Sequence, residues 1–196
     1  MLTIRVTSLE QFRIWKEDDD LDVGWLLTRL LGKEAPSDVM LAGTAFHSAL
    51  EHASEGVLDT LAFGDYRFDF NCDAEVQIPT LKELEITKQY GDLLVTGHVD
   101  GLIGKEITDY KTTGQFDPDR YMESYQWRYY LDMCDCDRFR WQVFVISEFG
   151  PPCCYEVKQI HQLAQVRYPG MDQDCARLAQ EYYEFASQQP LLGGKQ

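Results

Sequence analysis

Apolar residues recur along this chain with two different periods. Spacings of three and four mark helices packed on one side, and spacings of two mark half-buried strands. Residues 8–15 fit the helical period, and Ser8 followed by Gln11 has the form of a capping box. Residues 25–31 read as a second short helix ended by Gly32. Pro36-Ser37-Asp38 is a helix start signal, and the helix it opens is expected to run to about residue 54, ahead of Gly56. Its core stripe is Val39, Ala42, Phe46, Ala49 and Ala53, while Met40, Gly43, His47 and Leu50 share another side. Residues 57–73 show no period and read as irregular and aromatic-rich.

From residue 75 the pattern changes to strands. Residues 75–78 predict a short strand closed by Pro79, and residues 81–88 alternate Leu84 and Ile86 with charged neighbours. Runs at 93–99 and 106–110 flank a tight Gly-Leu-Ile-Gly-Lys turn, so residues 75–110 predict an antiparallel meander of three or four strands. A helix is expected over 118–133, then a strand over 138–147 with Phe139, Trp141, Val143 and Val145 on one face and Phe144 and Ile146 on the other. A further strand at 153–160 precedes a helix over 170–188 with Cys175, Leu178, Tyr182 and Phe185 on one side; the tail from Pro190 is expected to fray. The class is α/β (α+β), with no internal repeat.

Length and composition narrow this. The chain has 196 residues, 44% of them apolar and 13% aromatic, which suits one domain with a real core and argues against disorder. We read a single domain over 1–196, with an N-terminal helical segment at 1–35, a catalytic core at 36–168 and a C-terminal helix and tail at 169–196. No apolar run reaches the length of a membrane span and the N-terminus has no signal-peptide core, so a soluble cytoplasmic protein without a membrane partner is expected. The net charge of −15 argues against broad electrostatic binding of nucleic acid. The acid excess is concentrated over residues 1–66, and residues 112–168 are close to balanced, leaving room there for a local basic groove. Six cysteines are present, but neither the Cys134/Cys136 nor the Cys153/Cys154 spacing is that of a zinc knuckle or ribbon.

Candidate chemistry lies in residues 97–113. Asp109 and Lys111, two apart on a strand, project to one face, and Asp100 can lie near them on a neighbouring strand. Two acids and a lysine on one small surface suit a divalent cation working on a phosphate: carboxylates hold the hard ion, and the lysine steadies developing negative charge. His47 is a further candidate, because Gly43 one turn earlier clears space beside it. Gln126 and Tyr130, four apart, share a helix face.

In their order, Gly43-x-x-x-His47, Asp100, Asp109-Tyr110-Lys111-Thr112 and Gln126-x-x-x-Tyr130 resemble the RecB-like branch of the PD-(D/E)XK nucleases. The segments Ser8-x-x-x-Phe12 and Trp25-Leu26-Leu27 extend the resemblance over about residues 5–160. It implies a restriction-endonuclease-like core, a mixed central sheet flanked by helices. It also implies a metal-dependent DNA nuclease of the stand-alone phage type, an exonuclease acting on single-stranded DNA or DNA ends. The alternatives are a structure-specific or nicking endonuclease and a catalytically silent DNA-binding or adaptor module on the same fold. By resemblance, His47, Asp100, Asp109 and the carbonyl of Tyr110 bind Mg²⁺ or Mn²⁺, and Asp100, Asp109 and Lys111 are catalytic. Gln126 and Tyr130 position the substrate strand, and Glu75 matches a less regular acidic position; Arg128, a cation close to these motifs in sequence, is a further candidate substrate contact. The implied partners are DNA and a recombination or replication protein, in the host cytoplasm if the chain is phage-encoded. Cluster-bearing members carry a cysteine where this chain has Trp15, so no iron–sulfur cluster is expected.

Overall fold

The computed structural model describes residues 2–53, 58–72, 76–79 and 81–192. Its strands are β1 (Leu2–Arg5), β2 (Thr60–Phe63), β3 (Tyr66–Phe70), β4 (Leu81–Tyr90), β5 (Leu93–Ile103), β6 (Glu106–Thr113), β7 (Arg138–Glu148) and β8 (Cys154–Val166). Its helices are α1 (Val6–Glu17), α2 (Val23–Leu30), α3 (Asp38–His52), α4 (Pro118–Met122), α5 (Gln126–Cys134) and α6 (Met171–Ser187), with a short 3₁₀ turn at Pro190–Leu192. The strands form one mixed eight-stranded sheet in the order β1-β5-β6-β7-β8-β3-β2, with β4 also pairing with β5. No helix among the described residues is long and apolar enough to cross a membrane.

β5 organises the sheet. One of its edges pairs with β4 from Leu93 to Leu102. A strand has only two edges, so β1 and β6 share the other. Parallel β1 covers Leu93–Thr96 and antiparallel β6 covers Gly101–Ile103, which leaves Gly97–Asp100 between them. The sheet is split at that point. Beyond β6, the parallel β6–β7 register sets Asp109 against Trp141 and Lys111 against Val143.

Two apolar cores cover the two faces. The larger joins α1, α2, α5 and α6 to Val95, Val99, Ile107, Phe139, Trp141 and Val143. The smaller packs Ala42, Ala45, Phe46, Ala49 and Leu50 of α3 onto Phe68, Tyr110, Phe144 and Ile146. Alternation along β7 sends odd residues to the first core and even ones to the second, as expected for a strand buried on both sides.

Several expectations need correction. Ser8 caps nothing: α1 starts at Val6, directly after β1, and its N-cap Arg5 makes no side-chain capping bond. In α3, Ser37 does accept from Met40 N–H, but Val39 is 61% exposed and the buried stripe takes in Ala45 and Leu50 instead. The stretch read as irregular contains the β2–β3 hairpin, in which Gly64 at φ +58° allows a two-residue turn. Val76–Pro79 is not a strand; the buried Gln142 side chain holds it by accepting from Gln77 N–H and donating to Gln77 O. Gly56 and Glu75 lie outside the described residues. The helix expected over 118–133 is two helices. The break falls at Ser124, whose Oγ accepts from Gln126 N–H, while Glu10 of α1 accepts from Tyr125 N–H at 2.8 Å. Gln126 thereby becomes the first residue of α5.

Candidate functional site

The site forms where the sheet splits. Beyond the Gly101–Thr108 pair, the next ladder partners would be Val99 and Tyr110, but β5 has already diverged from β6. Tyr110 N–H would lose its acceptor; the Asp100 carboxylate takes it instead, at 2.8 Å. Asp100 therefore sits where the backbone ladder ends.

On β6, Asp109 and Lys111 point to the larger core. Lys111 Nζ bonds Asp109 Oδ2, and Gln126 Nε2 donates to Asp109 Oδ1 at 3.0 Å. The Gln126 amide also lies 3.3 Å from Tyr130 Oη, so one turn of α5 fixes both side chains. Tyr130 reaches this position because residue 97 is glycine: a Cβ there would stand 2.7 Å from Tyr130 Cε1. The ring of Trp141, the cross-strand partner of Asp109, lies 5.2 Å from Lys111 Nζ in a cation–π contact.

His47 approaches from the opposite face on α3, with Nδ1 3.4 Å from Asp100 Oδ2. The space cleared by Gly43 is used by Thr112, whose Oγ1 would be 3.0 Å from a Cβ at that position, so α3 lies close on β6. Tyr110 points into the smaller core and donates its hydroxyl to Gln77 O at 2.7 Å.

The electrostatics reflect burial. Asp109 is 1% exposed, and desolvation raises its carboxyl to about 7 against the opposing pull of Lys111. Asp100 is also raised, chiefly by burial, with Lys111 and the Tyr110 N–H opposing. His47 is lowered to about 4 by burial and then by Lys111, so its imidazole is neutral at physiological pH. Lys111 is raised: Asp109 and Asp100 together outweigh its desolvation, and the ammonium stays charged.

A cleft of about 550 Å³ opens onto this cluster. Asp100, Asp109, Lys111, Gln126 and Tyr130 line it together with Arg5, Thr7, Glu85 and His98. The structure thus brings five of the sequence-predicted residues into one cleft, with His47 joined to it through Asp100. Arg128 is not among them. Two residues along α5 from Gln126 is more than half a turn, and its guanidinium stacks 4.1 Å from the Tyr125 ring centroid. Arg5, Thr7 and His98 carried no motif. Alternation of Leu2 and Ile4 with Thr3 and Arg5 was the available sign that a strand delivers Arg5 here.

No protein-family model matches the chain, and no curated protein matches it in sequence. Solved structures do. A candidate exonuclease from Eubacterium rectale superposes with a TM-score of 0.58 at 10% identity, over 99% of this chain and 83% of that one. The crystal structure of SSO0001 gives 0.54 at 15% identity, over 94% and 77%. LHK-Exo, solved with dAMP, gives 0.48 at 11% identity over 93% and 86%, too loose to carry weight. The first two likenesses concern the fold alone, a mixed central sheet flanked by helices.

Proposed function

We propose that the protein is a divalent-metal-dependent deoxyribonuclease that hydrolyses phosphodiester bonds of single-stranded DNA or DNA ends as an exonuclease. The observation that carries this is the pair of buried Asp109 and part-exposed Lys111, lining a cleft with Asp100 and fixed by Gln126.

Among the described residues no three histidine, cysteine or carboxylate side chains already converge as a cation cage. The donor chemistry still fits a cation. Two carboxylates with raised pKa values influence each other, one of them is paired with an ammonium, and a neutral imidazole stands 3.4 Å from the other. A hard dication relieves that crowding, and imidazole makes Mn²⁺ as suitable as Mg²⁺. His47, Asp100, Asp109 and the Tyr110 carbonyl would hold it. Bound there, it supplies Lewis acidity and positive charge to the phosphodiester.

The chain's own groups do the rest. Lys111 presents a charged ammonium whose free side faces the cleft, where it meets negative charge developing on the phosphate. Gln126 holds Asp109 in one orientation, and Tyr130 backs the Gln126 amide. Trp141 supports Lys111 through its ring.

The test is end-labelled single- and double-stranded DNA incubated with Mg²⁺, Mn²⁺ or EDTA. Mononucleotide products from single-stranded ends, abolished by EDTA, are expected. Cutting of closed circles would show an endonuclease instead, and binding without cleavage in either metal would show a silent module.

A further inference from the structure

A second cleft, of about 690 Å³, lies on the far side of β1. It shares Arg5 and Thr7 with the catalytic cleft, so the two meet at the β1–α1 junction. Its charged lining is unusual for a chain of net charge −15: Arg5, Arg29 and the single acid Glu34. The side chain of Arg5 has no hydrogen-bond or ion-pair partner among the described residues. Arg29 lies 4.6 Å above the Trp25 ring centroid and 3.5 Å from Glu34. Thr3, Thr28 and Gln11 add uncharged hydrogen-bonding groups, and Leu31, Met40 and Leu191 give apolar surface.

We propose that this second cleft is a binding track for a single polynucleotide strand, continuous through Arg5 with the catalytic cleft. The proposal rests on the nuclease reading of that cleft and extends it to the strand remote from the reacting phosphate. Cations without acid excess suit phosphates, hydroxyl and amide groups suit sugars and base edges, and an arginine stacked on an aromatic ring forms a platform for a base. The track gathers positive potential along one path while the acidic surface elsewhere repels the polyanion. Two arginines give few counterions to release, so the salt dependence along this track is shallow.

The experiment is fluorescence anisotropy with fluorescein-labelled dT20 and the full chain, in Ca²⁺ at low salt, for the wild type, Arg29→Glu and Thr3→Glu. Arg29 and Thr3 lie on separate exposed elements, so a folding defect in one leaves the other informative, and melting curves identify such a defect. Each substitution should weaken dT20 binding at least about fivefold, the scale of losing one phosphate contact. Wild-type affinity in both variants, or no dT20 binding by the wild type, overturns the proposal. Hydrolysis of the same dT20 in Mn²⁺ separates the two ideas: binding lost in the variants but no hydrolysis by the wild type would remove the nuclease reading and leave the strand track standing.

Discussion

The two faces of the sheet are built differently, and the site draws on both. The larger core locks α1, α5 and α6 onto the sheet through many large side chains, including Phe139, Trp141, Tyr129 and Leu131, each at most 1% exposed. Asp109, Lys111, Gln126 and Tyr130 stand on that side. The smaller core is an aromatic cluster under a single helix, α3, plus a segment at Val76–Pro79 held largely by one glutamine side chain. His47 stands on that side. The groups proposed to act on phosphate thus rest on the thick face, and His47, one of the proposed ligands, rests on the thin one. The difference suggests that position matters most where charge develops, and that a ligand can tolerate some adjustment.

The comparison can be broken most severely at Asp109. Asp109→Ala should lower cleavage by a factor on the order of 10³ or more while the fold survives, because it removes a ligand carboxylate and the anchor of Lys111. Full activity in a gel assay would sink the site. Lys111→Ala should cost about 10²–10³ in kcat with little change in Mn²⁺ affinity by calorimetry, since the lysine acts on phosphate and not on metal. Joint loss of metal binding and activity would show that its role is different. On the thin face, His47→Ala should weaken metal binding by about 10–100-fold, the range seen when supporting groups of a metal site are removed. Excess Mn²⁺ should recover much of its activity; a loss that no metal concentration reverses would put His47 on the same footing as Asp109.

Stability gives the smaller effects. The raised pKa of Asp109 means the folded state holds its proton more tightly than the unfolded one. The stability this contributes is complete below about pH 4 and is lost as pH climbs through about 7. Metal-free Asp109→Asn should lack that pH-dependent loss, so the stability difference between it and wild type should move in its favour from pH 4 to pH 8. A constant gap across pH would mean the carboxyl is not perturbed. Smallest of all, Gln142→Leu should destabilise by about 1–3 kcal/mol, because it orphans the buried Gln77 N–H, with activity reduced less than in any substitution above. Denaturant unfolding measures the first, and the same gel assay the second.

The thick face was also the more legible in sequence. Period-two runs at β4–β7 and the acid and lysine spacing on β6 are local signals, and the register that unites them follows from a short turn. The thin face was read less well. Val39 satisfied the helical stripe, yet it is 61% exposed, and the close approach of α3 to β6 at Gly43 and Thr112 joins residues far apart in sequence. The β2–β3 hairpin was missed although Gly64-Asp65 marks its turn, because it joins the sheet only through β3 against the distant β8. The break before α5 was signalled by Ser124, but its cause, Glu10 of α1, lies over a hundred positions earlier. Arg128 looked like a substrate contact because it is basic and near Gln126; helical geometry alone places it on another side.

The split in the sheet has a dynamic consequence. Backbone groups of alternate residues point to the same edge of a strand, so about half of those in Gly97–Asp100 face the gap between β1 and β6 and not another strand. These amides lie between β4 and the β1/β6 pair, inside an eight-stranded sheet where slow exchange with solvent deuterium would be the ordinary result. Here water reaches them through the cleft. A deuterium-exchange map should therefore show a notch of fast exchange inside an otherwise protected sheet, and a strand of nucleic acid lying in the cleft should fill it.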